Sequence, residues 1–167
     1  MKQIKLQLPY IASACPVLAA GDKVLLSGII YTARDQAHKR LLDLIRRGEP
    51  MPFDLSQTAL FYCGPSPAAP GQICGAVGPT TSYRMDSYVS AMLEAGLRVM
   101  IGKGNRNPDT EALIHQSGAL YLIAIGGVSA VLSQHIVSCE TFLWPELGAE
   151  AVYRMYIEEL PCYVGVV

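Results

Sequence analysis

The 167-residue sequence has no C-x-x-C pair, no basic stripe interleaved with aromatics, and no apolar run approaching the length of a membrane span. Each absence excludes a class of function. The five cysteines, at positions 15, 63, 74, 139 and 162, are odd in number, and the closest two have ten residues between them. That scatter argues against a disulfide framework and against a self-contained zinc or iron–sulfur site, so no metal ligand is assigned to this chain. Buried thiols of a cytoplasmic protein are the expectation. A formal net charge of −1 removes the bulk electrostatic case for nucleic acid. The opening MKQIKLQLPY alternates polar and apolar residues and lacks the apolar core of a signal peptide, and stretches such as LYLIAI are far too short to cross a bilayer.

Charge is also scarce. Charged residues make up 16% of the chain and hydrophobic ones 51%, where a soluble domain typically has about 25% charged. Such a chain hides more surface than a monomer of its size would, which points to a partner chain or to self-association as a homodimer. The length fits a single domain over residues 1–167.

What is present reads as alternating strands and helices. IKLQL has the period-two pattern of a strand, and KVLLSGIIYT follows the Gly21-Asp22 turn as a long apolar strand. HKRLLDLIRRG places His38, Leu41, Leu42 and Ile45 on one helical face, with Gly48 as its stop. ALFYC and QICGAV read as strands flanking the loop GPSPAAPG. Met85, Tyr88, Val89, Met92 and Leu93 keep the spacing of a one-sided helix. LRVMI and ALYLIAI are buried strands, and Asn107-Pro108 is an N-cap followed by proline at the first position of the helix TEALIHQ. The tail holds a Gly-Gly turn, a short helix, and strands around IVSCETFLW, VYRMYIEE and CYVGVV. This order predicts an α/β fold with a largely parallel central sheet, and the extra strands near both ends predict a second, smaller sheet layer.

Three cations follow predicted strands: Arg34 in YTARD, Arg84 in TTSYRMD and Lys103 in IGKGN. In open α/β sheets, ligands bind beyond the carboxyl ends of the strands, so a parallel sheet would bring these loops to one edge. GPTTSYRMD adds the hydroxyls of Thr80, Thr81 and Ser82 at a helix start, where free N–H groups carry partial positive charge. With Arg84 as a two-pronged carboxylate grip, that is a site for a small di-acid. The other reading is a helix cap by threonine or serine, with Arg84 in solvent. GKGNRN is neither a P-loop nor a dinucleotide motif: the spacing from Gly96 is one residue too long, and Gly104 stands where a P-loop needs serine or threonine. His38 reads as a packing histidine, and His115 and His135 lack any metal-ligand pattern. Asp35 either forms a local ion pair or orients Arg34.

Together YTARDQAHKRL, GPTTSYRMD, IGKGNR, ALYLIAIGGVSAVL and ELGAEAVYRMYIEELP cover most of the chain. They resemble the C-terminal domain of class I (iron–sulfur) fumarate hydratases, which is also the separate β subunit of two-subunit fumarases and of L(+)-tartrate dehydratase. The resemblance implies a swivelling β/β/α domain that docks on an α domain or subunit carrying a 4Fe–4S cluster. It implies reversible hydration of a dicarboxylate, fumarate to L-malate, with L(+)-tartrate dehydration or a detached, non-catalytic dicarboxylate binder as alternatives. Carried over by motif position, Arg34, Arg84 and Lys103 bind the substrate carboxylates and hydroxyl. Thr80 takes part in proton transfer with Thr81 as its neighbour. Asp35, His38, Ser82, Asp86, Gly102 and Gly104 are supporting positions. Tyr83 departs from the glycine of the family pattern T-T-x-G-R-M-D, either narrowing the pocket or facing the partner chain.

Overall fold

The computed structural model describes residues 1–125 and 129–167; the expected Gly-Gly turn lies outside them. Seven strands form one sheet in the order β1-β2-β3-β4-β5-β7-β6, with β7 also pairing with β2. These are β1 (Gln3–Gln7), β2 (Lys23–Thr32), β3 (Ala59–Phe61), β4 (Val99–Gly102), β5 (Leu120–Ala124), β6 (Ile136–Leu143) and β7 (Val152–Val166). The ladders β1–β2, β2–β3, β3–β4 and β4–β5 are parallel. Strand β7 runs antiparallel to β5, β2 and β6, so β2, β3, β4, β5 and β7 close into a barrel-like ring.

The ring corrects two expectations. The strands near both ends add to the same sheet instead of stacking as a second layer: β1 pairs with the first half of β2, and β7 seals the gap between β2 and β5. VYRMYIEE and CYVGVV are also one 15-residue strand, whose ladder with β2 shifts register at a bulge between Ile157 and Leu160, where Glu159 has φ 49. QICGAV, expected as a strand, lies in the irregular segment between Phe61 and Ser82. Gly75 there passes so close to Ser66 that no side chain fits, and the segment is held by Ser66 N donating to Ala76 O at 3.0 Å.

The ring explains why the strands read as nearly continuous apolar runs. Successive residues alternate between two packed clusters, because side chains on a strand point to opposite faces. Ile30, Phe61, Ile101, Leu120 and Leu122 join one cluster, which faces are contributed by every ring strand. Tyr31, Leu60, Tyr62, Met100 and Tyr121 join the other. That second cluster includes Leu41 of α1 (Asp35–Arg46), Val89 and Met92 of α2 (Asp86–Glu94) and Ile114 of α3 (Pro108–Gln116), so it is the outer, helix-covered face. Asn107 caps α3 as its sequence predicts: its side chain accepts from Thr110 N at 2.8 Å, ahead of Pro108. A short α4 (Ser129–Ser133) precedes β6.

Candidate functional site

Because β2, β3 and β4 are parallel, the loops leaving their carboxyl ends gather at one edge. Arg34 is the N-cap residue of α1, directly after β2. Its carbonyl accepts from both the backbone N–H and Nδ1 of His38, each at 2.9 Å. Its side chain runs against Gly64, where a Cβ would sit 2.9 Å from Arg34 Nη1 and 3.0 Å from its Cδ. Arg34 Nε is buried there with no hydrogen-bond partner among the described residues. A buried N–H left unpaired is costly.

The motif Gly78–Asp86 reaches the same edge by way of the irregular segment after β3, which Cys63 and Pro79 close with a β-bridge. The backbone of Thr80 then inserts beyond the strand ends. Thr80 N donates to Tyr62 O, Lys103 N donates to Thr80 O at 3.2 Å, and Ser82 N donates to Lys103 O at 3.0 Å. Thr81 and Lys103 thereby form a parallel bridge. The two motifs singled out in the sequence are neighbours in space, joined main chain to main chain.

The helix start itself differs from the capped end that the hydroxyls suggest. A 3-10 turn, Ser82–Met85, leads into α2, and Thr81 stands at its N-cap position without a side-chain capping bond. Ser82 is buried, its Oγ 2.7 Å from the Tyr121 hydroxyl, so it is tied inward and away from the helix end. Thr80 and Thr81 are half-buried, and Lys103 and Arg84 are exposed. Arg84 pairs with Asp35 at the first turn of α1, which links the loop after β2 to the motif after β3. Asp35 thus orients Arg84, not Arg34. Tyr83 is 62% exposed, so it does not plug a pocket within this chain.

Gly102 and Gly104 flank Lys103 for different reasons. A Cβ at Gly102 would collide with Ser82 Oγ and lie 2.8 Å from Tyr62 Cδ2. Gly104 has φ +75 and open space around it, so it is the turn conformation that calls for glycine there.

Beneath this edge lies a cation absent from the sequence-based site. Arg106, 5% exposed, donates from Nε to Asp86 Oδ1 at 2.6 Å and from Nη1 to the Tyr62 hydroxyl at 3.1 Å. Its guanidinium lies 5.1 Å from the Tyr62 ring centroid and 5.0 Å from that of Tyr121. Asp86 Oδ2 accepts from Asn107 N at 3.0 Å. The available signal was the pairing of RMD with GNRN: a carboxylate at the first turn of one helix and an arginine one residue before the cap of the next.

Burial governs the titration of this layer. The phenol of Tyr121 is pushed up to about 12, and that of Tyr62 is raised, so both hydroxyls stay protonated. His38 is 1% exposed and its imidazole is held down to about 4, chiefly by desolvation. It sits edge-on to Tyr62 with ring centroids 5.2 Å apart. It is a neutral packing group that also fixes the Arg34 carbonyl. His115 and His135 lie elsewhere, with Nδ1 bonded to the carbonyls of Val167 and Glu158.

Among the described residues, no group of three or more histidines, cysteines, aspartates or glutamates is placed to hold a metal. The thiols of Cys63 and Cys162 are buried and those of Cys15, Cys74 and Cys139 are half-buried. Burial raises Cys63, Cys74, Cys139 and Cys162 away from the thiolate that iron requires. These residues do not fit an iron–sulfur cluster.

The chain that carries this basic and hydroxyl-bearing edge matches one family model, the fumarase C-terminus, over residues 1–167. The chain belongs to the fumarase C-terminus family. It is 37% identical to the anaerobic class I fumarate hydratase of Escherichia coli (strain K12) over 166 residues, which is 98% of this chain and 29% of that protein. It is 36% identical to fumarate hydratase 2 of Leishmania major over 148 residues, 87% of this chain and 26% of that one. It is 35% identical to the L(+)-tartrate dehydratase subunit beta of Escherichia coli (strain K12) over 151 residues, 89% of this chain and 73% of that subunit. The chain therefore spans less than a third of the fumarate hydratases it matches, and most of the length of the tartrate dehydratase subunit.

Proposed function

We propose that this chain is the β subunit, or the equivalent C-terminal part, of an iron–sulfur hydro-lyase that interconverts fumarate and L-malate, with L(+)-tartrate dehydration as the alternative reaction. The observation that carries the proposal is the Thr81–Lys103 bridge beside the Arg84–Asp35 pair. It gathers threonine hydroxyls, a lysine and an arginine at the edge where Arg34 caps α1, its Nε unpartnered among the described residues. A di-acid offers carboxylate oxygens to such a set, and arginine meets them in bidentate fashion.

The chemistry asks for such groups. In dehydration a proton leaves the carbon beside one carboxylate, the hydroxyl departs from the neighbouring carbon as water, and the freed electron pair forms the double bond. Negative charge grows on that carboxylate in the transition state, and fixed cations stabilise it. Arg34, Arg84 and Lys103 hold the carboxylates and the hydroxyl. Thr80 moves the proton, and Thr81 beside it shapes the hydrogen bonding. A threonine hydroxyl is a weak base alone, so its activating group belongs to the partner chain. The 4Fe–4S cluster also belongs to the partner α subunit, in agreement with the misfit of this chain's own thiols; when bound there it supplies a Lewis acid for the hydroxyl.

The chain is taken as one domain that docks by this edge as a swivelling β/β/α unit, in the cytoplasm. No helix among the described residues is long and apolar enough to cross a membrane. The exposed Tyr83 faces the partner. The test is co-expression with a cluster-bearing α subunit and assay against fumarate, L-malate, L(+)-tartrate and methylated analogues. Hydration of fumarate by the complex and none by this chain alone is the expected result. Turnover by the chain alone would refute the division of labour, and tight dicarboxylate binding without turnover in the complex would mark a binder.

A further inference from the structure

We infer that Arg106 is a positioning residue for the proposed dicarboxylate site, holding the Thr80–Ser82 segment and the Lys103 loop in register through Tyr62 and Tyr121. The inference rests on the site reading above.

Among the described residues Arg106 makes no hydrogen bond to a proposed substrate-binding side chain, yet both tyrosines beside its guanidinium hold the site's backbone. Tyr62 receives Arg106 Nη1 on its hydroxyl at 3.1 Å, and its carbonyl accepts the N–H of Thr80. Tyr121, on whose ring the guanidinium also lies, has its hydroxyl 2.7 Å from Ser82 Oγ and 2.7 Å from Gly104 O. A phenol carries one proton, so it donates to the carbonyl while the serine hydroxyl completes the second bond. Tyr62 thus fixes the start of the inserted segment, and Tyr121 fixes its end together with the residue after Lys103. Asp86 completes the frame, joining Arg106 to the first turn of α2 and to Asn107 N.

The choice of arginine follows from this geometry. Burying a cation is unfavourable unless it is paired, and apolar side chains would fill the space between two tyrosine rings without that cost. Only a planar fork can stack on both rings while directing one N–H to a carboxylate and another to a phenol at fixed angles. Lysine keeps the charge and loses the fork.

The experiment compares Arg106→Lys, Tyr121→Phe and Arg84→Ala in the assembled enzyme, and measures amide hydrogen exchange in this chain. For Arg106→Lys, kcat should fall on the order of 10²-fold, as small misplacements of a reacting group do, with KM changing by less than about threefold. The amides of Ser82 and Lys103, which bond across the Thr80–Lys103 contact, should exchange at least about tenfold faster while those between β2 and β7 stay protected. Tyr121→Phe keeps the ring and removes the hydroxyl, so it should shift the same two amides in the same direction; it carries the test if Arg106→Lys does not fold. Unchanged exchange at both amides, or faster exchange everywhere, overturns the inference, as does a KM effect without a kcat effect. Arg84→Ala separates the two readings. If it is inactive while Arg106→Lys works normally, positioning by Arg106 fails and the site stands. If Arg84→Ala retains full activity, the site reading fails and the inference falls with it.

Discussion

Thr81 and Lys103 form a parallel β-bridge beyond the carboxyl ends of β3 and β4, although 21 residues of helix and strand separate them. That bridge turns two motifs into one surface. Its tolerance for change depends on Gly102, which leaves room for Ser82.

Gly102→Ala should therefore cost more than Gly104→Ala, and for a different reason. The added methyl at position 102 meets Ser82 Oγ and the Tyr62 ring, a small-to-large clash worth about 1–3 kcal/mol, and pushes Ser82 away from Tyr121. At position 104 the cost is backbone strain alone, about 1 kcal/mol, with nothing to displace. Urea unfolding midpoints of the two variants, with fumarate hydration by their complexes, check the ranking. Gly102→Ala should lose most of its activity and Gly104→Ala should keep more of it.

The two carboxylates that meet arginines should differ sharply. Asp86 and Arg106 are 6% and 0% exposed at the side chain, whereas Asp35 and Arg84 are 31% and 42% exposed. Removing one partner of a buried pair strands the other charge, so Asp86→Ala should destabilise the fold by roughly 3–5 kcal/mol. Asp35→Ala should cost less than about 1 kcal/mol, because solvent screens the exposed pair. Its effect belongs instead in KM, through a less constrained Arg84. Calorimetry and steady-state kinetics on the same preparations separate the two.

His38 gives the fold an acid limb. Its folded value, about 4, lies below the ordinary 6.5 because the ring is buried. The unfolded chain thus takes up the proton first as pH falls. Stability from this group is fully present above pH 6.5 and drains away down to about pH 4, by about 3 kcal/mol across that window. Denaturant titrations at pH 7.5, 5.5 and 4.5 should show that loss, and His38→Gln should flatten it. An equal slope in the variant would assign the limb to other groups.

Much of the fold was legible because local signals agreed with it. KVLLSGIIYT matches β2 at both ends, and Asn107-Pro108 caps α3 as its chemistry dictates. The closure of the ring was not legible. It depends on antiparallel pairing of β7 with β2, more than a hundred residues earlier in sequence, as well as with β5, and no period within one strand encodes a partner. Glu159 also breaks the strand pattern of β7 at a bulge, beyond which pairing with β2 resumes at Leu160 and Pro161. QICGAV failed as a strand because Gly75 is spent on close passage against Ser66, not on a ladder. At the site, Arg34 and Lys103 were visible as residues following strands, whereas Arg84 reaches the edge through the irregular segment after β3 and not from a strand of its own. The hydroxyls misled as caps, since Ser82 turns inward to Tyr121. Arg106 was hidden inside a motif read for Lys103 and its glycines, because burial of a charged side chain cannot be read from its neighbours in sequence.

The central claim, that the edge joining Thr80, Arg84 and Lys103 is half of a dicarboxylate site completed by a partner, is tested most directly by Lys103→Met in the purified two-chain enzyme. This substitution keeps most of the length of the lysine and its main-chain bridge and removes its charge. The expected result is a loss of kcat/KM for L-malate on the order of 10²-fold or more, with assembly and unfolding midpoint unchanged. Full activity in Lys103→Met would contradict the claim.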